Sequence, residues 1–545
     1  MHLSWLELMN TRCYEALRFE PVEGVNVLVG SNGAGKTSIL EAAAYLGLLK
    51  SFRGTPDDAI IRDGATQAVI RGEFVVESGT TRVEVELPRP GRRRVLVNGK
   101  RPQRNRDVLA QIPVVAFQPD DLDLVKRGCT IDVSAYIAAA VKAKVALIER
   151  HKMGGDCLNT GCVPSKALLR SAKLLAQARR ATDFGIKSVE VDFSFRDLMQ
   201  RVQRVIQTVE PHDSVERYTR LGVDCVQGEA RITSPWTVEV RTPEGVRTLS
   251  TRAIVIAAGA RPFVPPIPGL AEAGYLTSDT VWDLEERPQR LVVLGGGPIG
   301  CELAQAFART GSQVTQVEML PRLMMREDPE VSERVMRSFR DEGIDVRVET
   351  KALSCVIEAG EKVLIAERGG EQLRIPFDHI LVAVGRVANT QGYGLEELGI
   401  ETTQQRTVEV NAYMQTLYPN IYACGDVAGP YQFTHTAAHT AWYAAVNALF
   451  GRFRKFRADF SVIPWATFTE PEVARVGLNE TDAQAQGIAY EVTTYGIDDL
   501  DRAIADEAAR LGARVALQHT TAGRGKLVVS YNSLDELEGI LGHIK

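Results

Sequence analysis

Apolar and polar positions along this chain switch period several times. Val25 to Val29 (VNVLV) reads as a strand, and SILEAAAYLGLL after it reads as a helix. The same order returns at Leu291 to Leu294, an apolar strand followed by the helical IGCELAQAFARTG and then by another strand, Gln313 to Glu318. KVALIE, ending at Glu149, is a further strand, preceded by the helical SAYIAAAVKAKV. AIVIAAGARP (253–262) and NIYACGDVAG (420–429) are strands that run into glycine. Near the end, RLGARVALQH, a glycine-rich turn and GKLVVSY predict a hairpin. Ser533 and Glu536 then form a capping box, and Leu534, Leu537, Ile540, Leu541 and Ile544 line one helical face. Some 40 residues bury too little core alone, so association of this tail is expected. No apolar run reaches eighteen residues, so no transmembrane helix is expected. The opening MHLSWLELMNTRC has neither the basic nor the apolar region of a signal peptide.

Composition narrows the class. A length of 545 residues suggests about three or four domains. With 45% apolar and 24% charged residues the chain reads as soluble and globular, which excludes disorder or a collagen-like repeat for the whole. The charge, 64 − 69 = −5, gives no global basic balance for nucleic acid. Eight cysteines are too few for a disulfide scaffold. A reducing, cytoplasmic setting is the expectation, and paired cysteines there mean redox or metal chemistry.

Four stretches carry chemistry. Gly30, Gly33, Gly35, Lys36 and Thr37 fill GxxxxGK[ST] between a strand and a helix. Backbone N–H groups there face phosphate, Lys36 supplies a point charge and Thr37 a hydroxyl for Mg²⁺. Gly91 to Arg106 holds seven basic residues and no acid around an Asn98-Gly99 turn signal, either a nucleic-acid contact or a solvated hairpin. Cys157 and Cys162, in GGDCLNTGCVPSK, stand five apart in a glycine-bounded turn that leads into a helix, a spacing that can close a redox disulfide, with a purely structural pair as the alternative. A helix N-terminus there is expected to lower a thiolate pKa. A metal site would want more ligands, and His151 is the only other candidate nearby, so none is assigned. Finally, Gly295, Gly297 and Gly300 form GxGxxG directly after an apolar strand, and Glu318 ends the next strand 18 residues beyond Gly300. That is a dinucleotide arrangement, with pyrophosphate on the helix N-terminus and the carboxylate on the ribose. An acid there repels a 2′-phosphate, so NADH is expected over NADPH.

Resemblances follow from these stretches. LELMNTRCYEAL, NVLVGSNGAGKTSILEA, LVNGKR and VVAFQPDDLDLVKRG resemble the N-terminal part of the RecF family of DNA-repair ATPases, over residues 1–128. That resemblance implies ATP and Mg²⁺ at Lys36 and Thr37. The signature motif and acid-tipped strand needed for hydrolysis are not in this sequence. Residues 134–500 resemble the pyridine nucleotide-disulfide oxidoreductases, in the mercuric reductase and dihydrolipoamide dehydrogenase branch, on CLNTGC, the GxGxxG unit, NIYACGDVAG, YQFTHTAAHTAWYAAVNALF and TFTEPEVARVGLNE. The resemblance implies FAD and NAD(P), with Cys157 as the thiol that attacks substrate and Cys162 as the sulfur against the flavin. It implies Lys166 near the flavin and paired with Glu302, Glu149 on the FAD ribose, Asp426 on its ribityl end, and Gly259, Gly385 and Gly425 as cofactor contacts. Its acceptor is a small-molecule disulfide or a related species. Residues 507–545, through GRGKLVVSYNSLDELEGIL, resemble the ParB dimerisation domain, which implies a homodimer. DNA enters only through the RecF-like and ParB-like pieces, and no membrane partner is expected.

The expected architecture is therefore α/β, with two dinucleotide-binding (Rossmann-like) domains in the middle, a partial P-loop NTPase lobe in front and a small ββα tail. Its divisions are 1–128, the P-loop lobe; 129–278 with 396–457, the FAD region; 279–395, the NAD region; 458–506, a truncated interface domain; and 507–545, the tail. The family opens its FAD region with a strand and a GxGxxG loop before a helix like SAYIAAAVKAKV, but LDLVKRGCTIDV stands there instead. The interface pattern breaks near Glu507, and His519 and His543, the only histidines beyond, read as surface residues. Both seams fall inside elements that each parent needs, as in a misjoined reading frame. The expectation is a reductase crippled at both ends.

Overall fold

The computed structural model describes residues 2–22, 35–51, 55–76, 79–91, 93–102, 132–496, 514–519 and 525–529. It is a mixed α/β protein. No helix among the described residues is long and apolar enough to cross a membrane.

The N-terminal lobe is an antiparallel sheet ordered Tyr14–Phe19, His2–Thr11, Gln67–Val76, Gly79–Pro88, Arg94–Val97. Strict alternation in Gly79–Pro88 buries Val83, Val85 and Leu87 and turns Arg82, Glu84 and Glu86 away. The helix Lys36–Leu48 covers the buried face, setting Tyr45 and Leu46 in one core with Leu6, Leu8 and Ile70. Asn98 and Gly99 have φ of 50° and 74°, the paired left-handed positions of a tight turn, so the expected turn forms. The VNVLV strand with Gly30 and Gly33, the basic residues past Arg101, and the capping box of the C-terminal helix lie outside the described residues.

The middle of the chain holds a five-stranded parallel sheet ordered Leu276–Thr277, His379–Val382, Arg290–Leu294, Gln313–Val317, Asp345–Arg347. The helices Pro298–Arg309 and Pro329–Asp341 make the crossovers between the last three. Their apolar faces, Leu303 and Phe307 on one and Val335 and Phe339 on the other, share a core with Leu291, Val293 and Leu381. A three-stranded meander, Lys351–Glu358, Glu361–Arg368 and Glu371–Phe377, precedes the strand His379–Val382.

Beside it lie two separate parallel pairs. Val145–Glu149 pairs with Val223–Gln227, and Ile254–Ile256 pairs with Ile421–Ala423. They are neighbours, since Ile148, Val226, Ile256 and Ile421 belong to one core. Among the described residues no strand joins them. The helix Asp132–Ala140 lies on the helix Thr434–Phe450, where Ser134 Oγ donates to the Ala441 carbonyl at 3.1 Å. Toward the C-terminus, Pro464–Thr467 pairs with Val473–Val476. The expected hairpin also forms, as Arg514–His519 and Gly525–Val529.

Candidate active site

The thiol centre is built by two glycine turns. Gly154, at φ 83°, opens the short helix Gly155–Asn159 that carries Cys157. Gly161 then caps the helix Cys162–Arg179. A Cβ on Gly161 would lie 2.9 Å from the Asp156 carbonyl and 3.2 Å from the Cys157 Cα, so only glycine lets the chain fold back this closely. The fold-back brings the Cys162 sulfur into hydrogen bonding with Cys157. Both are thiols here. Cys157 is buried with Leu158, against Ile206 and Val209.

The expected lowering of the thiolate pKa is not what Cys162 shows. The hydrogen bond with Cys157, then burial, push its thiol well above the usual range, while Thr434 and the charge of Lys166 pull the other way. Although Cys162 stands at the start of its helix, its thiol is raised in the dithiol, by the neighbouring sulfur first and burial second. Thr434, whose Oγ1 lies 3.1 Å from the Cys162 sulfur, was not among the expected residues.

One turn further, Lys166 Nζ donates to Glu302 Oε2 at 2.8 Å, the pairing the resemblance implied. The other oxygen, Oε1, accepts the Phe468 N–H at 2.9 Å, and the Phe468 ring lies 4.3 Å from Lys166 Nζ. Glu302 is buried. Helix 162–179, helix 298–309 and the segment after strand 464–467 therefore meet at one carboxylate.

A second meeting point is Arg386. Its guanidinium pairs with Asp156, beside Cys157, donates to the Ala260 carbonyl at 2.8 Å, and lies 3.7 Å from Asp426. Gly385, at φ 136°, precedes it. Gly259 and Gly425 also have positive φ, 65° and 73°. Burial pushes Asp426 up from 3.8 to about 6; Arg386 lowers it and Asp156 raises it. Folding thus favours the protonated acid. That contribution is complete below the unfolded value near 3.8 and is lost as pH rises through about 6. Asp426→Asn is expected to remove this dependence and to stabilise the chain above pH 6 by up to about 3 kcal/mol. Thermal melts of both proteins from pH 4 to 8 check this, and parallel curves would contradict it.

On the nucleotide side, Gly295 and Gly300 are tightly constrained. A Cβ on Gly300 would lie 2.4 Å from the Gly295 carbonyl, and one on Gly295 would lie 2.4 Å from the Ala383 carbonyl. Gly297 is the N-cap of helix 298–309, and a Cβ there would meet nothing within 4 Å. Glu318 accepts the Gly296 N–H at 2.6 Å and the Leu320 N–H at 2.8 Å, which fixes its carboxylate beside the glycine loop. Glu149 accepts the His151 N–H at 2.6 Å at the end of its strand. In the N-terminal lobe, Gly35 caps helix 36–48 at φ 89°, pressed so close that a Cβ would lie 2.5 Å from the Cys13 sulfur.

Residues 132–442 match the family described as pyridine nucleotide-disulphide oxidoreductase. The chain belongs to that family. The oxidoreductase core is 35% identical over 415 residues to a mercuric reductase of Streptomyces lividans, covering 75% of this chain and 86% of that protein. A dihydrolipoyl dehydrogenase of Chlamydia trachomatis is 33% identical over 392 residues, 71% of this chain and 82% of that protein. Among solved structures, the HOCl-induced flavoprotein disulfide reductase RclA of Escherichia coli superposes with a TM-score of 0.63 at 25% identity, over 76% of this chain and 91% of that one. LpdA of Mycobacterium tuberculosis gives 0.67 at 23% identity, over 76% and 91%, a likeness of fold. The oxidoreductase is flanked as the sequence suggested, by an AAA domain match at 6–118 and a ParB dimerisation domain match at 498–545.

Proposed function

We propose that this chain carries the NADH and dithiol halves of a flavin-dependent disulfide reductase, with the step between them crippled. The observation that carries this is the Lys166–Glu302 bridge. It ties the helix capped by Gly297, on the nucleotide side, to the helix led by Cys162, on the thiol side. The order of the five-stranded parallel sheet supports a Rossmann-like reading, with the pyrophosphate on the N-terminus of helix 298–309 and the ribose on Glu318. NADH is preferred, because the Glu318 carboxylate repels a 2′-phosphate. Calorimetric titration of both nucleotides tests this, and tighter NADPH binding would contradict it.

The dithiol performs ordinary exchange. Ionised Cys157 attacks one sulfur of an acceptor disulfide, the acceptor S–S bond breaks and one thiol leaves. Cys162 attacks the Cys157 sulfur, the second thiol leaves, and the protons of the two cysteines go with the leaving thiols. When bound, FAD supplies the two-electron relay that returns the resulting Cys157–Cys162 disulfide to the dithiol.

FAD fits at one end only. Thr434 and Lys166 face the Cys162 sulfur, Glu302 holds Lys166, and Asp426 stands by Arg386, which pairs with Asp156 beside Cys157, a set that fits the reactive end. The other end does not fit. In a doubly wound sheet ordered 3-2-1-4-5, the first strand joins the second and fourth. Strands 145–149 and 223–227 take the places of the second and third, and 254–256 and 421–423 those of the fourth and fifth. Among the described residues no strand takes the first place, and the sequence there, LDLVKRGCTIDV, carries no glycine loop to hold the pyrophosphate.

For the N-terminal lobe we place ATP and Mg²⁺ at Lys36 and Thr37, weakly held and not hydrolysed, since the sequence carries no signature motif. Phosphate release with Mg²⁺-ATP should stay at background. Turnover that disappears in Lys36→Ala would contradict this.

A further inference from the structure

The described strand that ends just before the second seam does not end its sheet. Thr493–Gly496 pairs antiparallel with Arg514–His519, Thr493 opposite Leu517, Thr494 opposite Ala516, Tyr495 opposite Val515 and Gly496 opposite Arg514. Arg514–His519 pairs in turn with Gly525–Val529, Val515 opposite Val529 and Leu517 opposite Leu527. The first described strand of the ParB-like match is thus the central strand of three, with a reductase-side strand on one flank and its own hairpin partner on the other. Gly525–Val529 also runs beside Val473–Val476, a strand of the reductase side.

This pairing is costly to do without. A central strand directs each N–H to one neighbour or the other. A four-residue strand such as Thr493–Gly496 has little standing alone, and an open edge invites pairing with other chains. The register places Val515 between Tyr495 and Val529, and Leu517 between Thr493 and Leu527.

We infer that the ParB-like hairpin 514–529 serves as the missing strands of the reductase's truncated last domain. The docking surface is the edge of Thr493–Gly496 with the flank of Val473–Val476, and its partner is this hairpin of the same chain. Reductase and tail form one body, and the second seam joins two pieces that share a sheet.

Cleavage between them is the test. A site-specific protease sequence inserted between Asp506 and Glu507 of the full chain is cut under native conditions and the products are run by gel filtration. The tail should co-elute with the body. A tail that elutes alone would overturn the inference. Leu517→Pro, which places a residue without an N–H in the central strand, should release the tail after the same cut. Continued co-elution of that variant would also count against it. Hydrogen exchange on the uncut chain gives an independent reading. Of the adjacent Thr494 and Tyr495 amides, the one directed at Arg514–His519 should exchange roughly a hundredfold more slowly than in a chain ended at Asp506, and equal rates for both amides in the two chains would overturn the inference.

Discussion

FAD is expected to bind this chain at least about a hundredfold more weakly than a variant with a strand and GxGxxG loop inserted before Asp132, ahead of the helix Asp132–Ala140. The reason is geometric. Strands 145–149 and 254–256 border one core but do not pair with each other or with a common strand among the described residues. An inserted strand of five residues would pair with both and return a helix N-terminus to the pyrophosphate. Charge-assisted hydrogen bonds from such a loop contribute about 1.5–3 kcal/mol each, so two of them exceed a hundredfold in affinity. The reactive end gives no such return, because Lys166 and Glu302 are already paired. Quenching of flavin fluorescence during titration measures both proteins. Equal affinities would mean that the divided sheet does not limit flavin binding.

The second large effect separates fold from binding on the nucleotide side. Gly297→Ala should leave the melting temperature of the chain unchanged while weakening NADH by roughly ten- to a hundredfold, about 1.4–2.7 kcal/mol. Its φ of −76° suits any residue, and its Cβ meets no protein atom, yet it projects where the backbone must approach a pyrophosphate. Gly300→Ala should lose both properties. Its Cβ meets backbone 2.4 Å away, and overpacking of this kind costs about 1–3 kcal/mol or more. Melts and NADH titrations of the two variants make the comparison. If Gly297→Ala binds NADH normally, the helix N-terminus is not the pyrophosphate site.

What the sequence made legible was mostly local. Strand 290–294, its glycines, helix 298–309 and Glu318 lie within 30 residues, and their order alone predicts the strand, glycine loop, helix and strand that form there. The helix after Gly35 and the Asn98-Gly99 turn were readable for the same reason. Lys166 with Glu302 came only from the family resemblance, because 136 residues separate them. Arg386 was not read at all, since its partners Asp156 and Asp426 carry no spacing signal relative to it. Thr434 and Phe468 reach the thiol centre from other elements, and only the fold brings them there. The raised Cys162 thiol carried no local signal, because its causes, a second sulfur and burial, are tertiary effects. The pairing of 493–496 with 514–519 carried no local signal, because strand partners are chosen by the sheet.

The central claim is that both halves of the reductase are present and the link between them is broken. Anaerobic incubation of the purified full chain, oxidised at Cys157 and Cys162, with NADH and added FAD tests it, with thiols counted by a chromogenic disulfide after denaturation. The account predicts a thiol count that stays at the value of the chain without NADH, even though NADH binds. A gain of two thiols per chain within seconds, lost in Cys162→Ser, would show that hydride equivalents do reach the disulfide and that the link is intact.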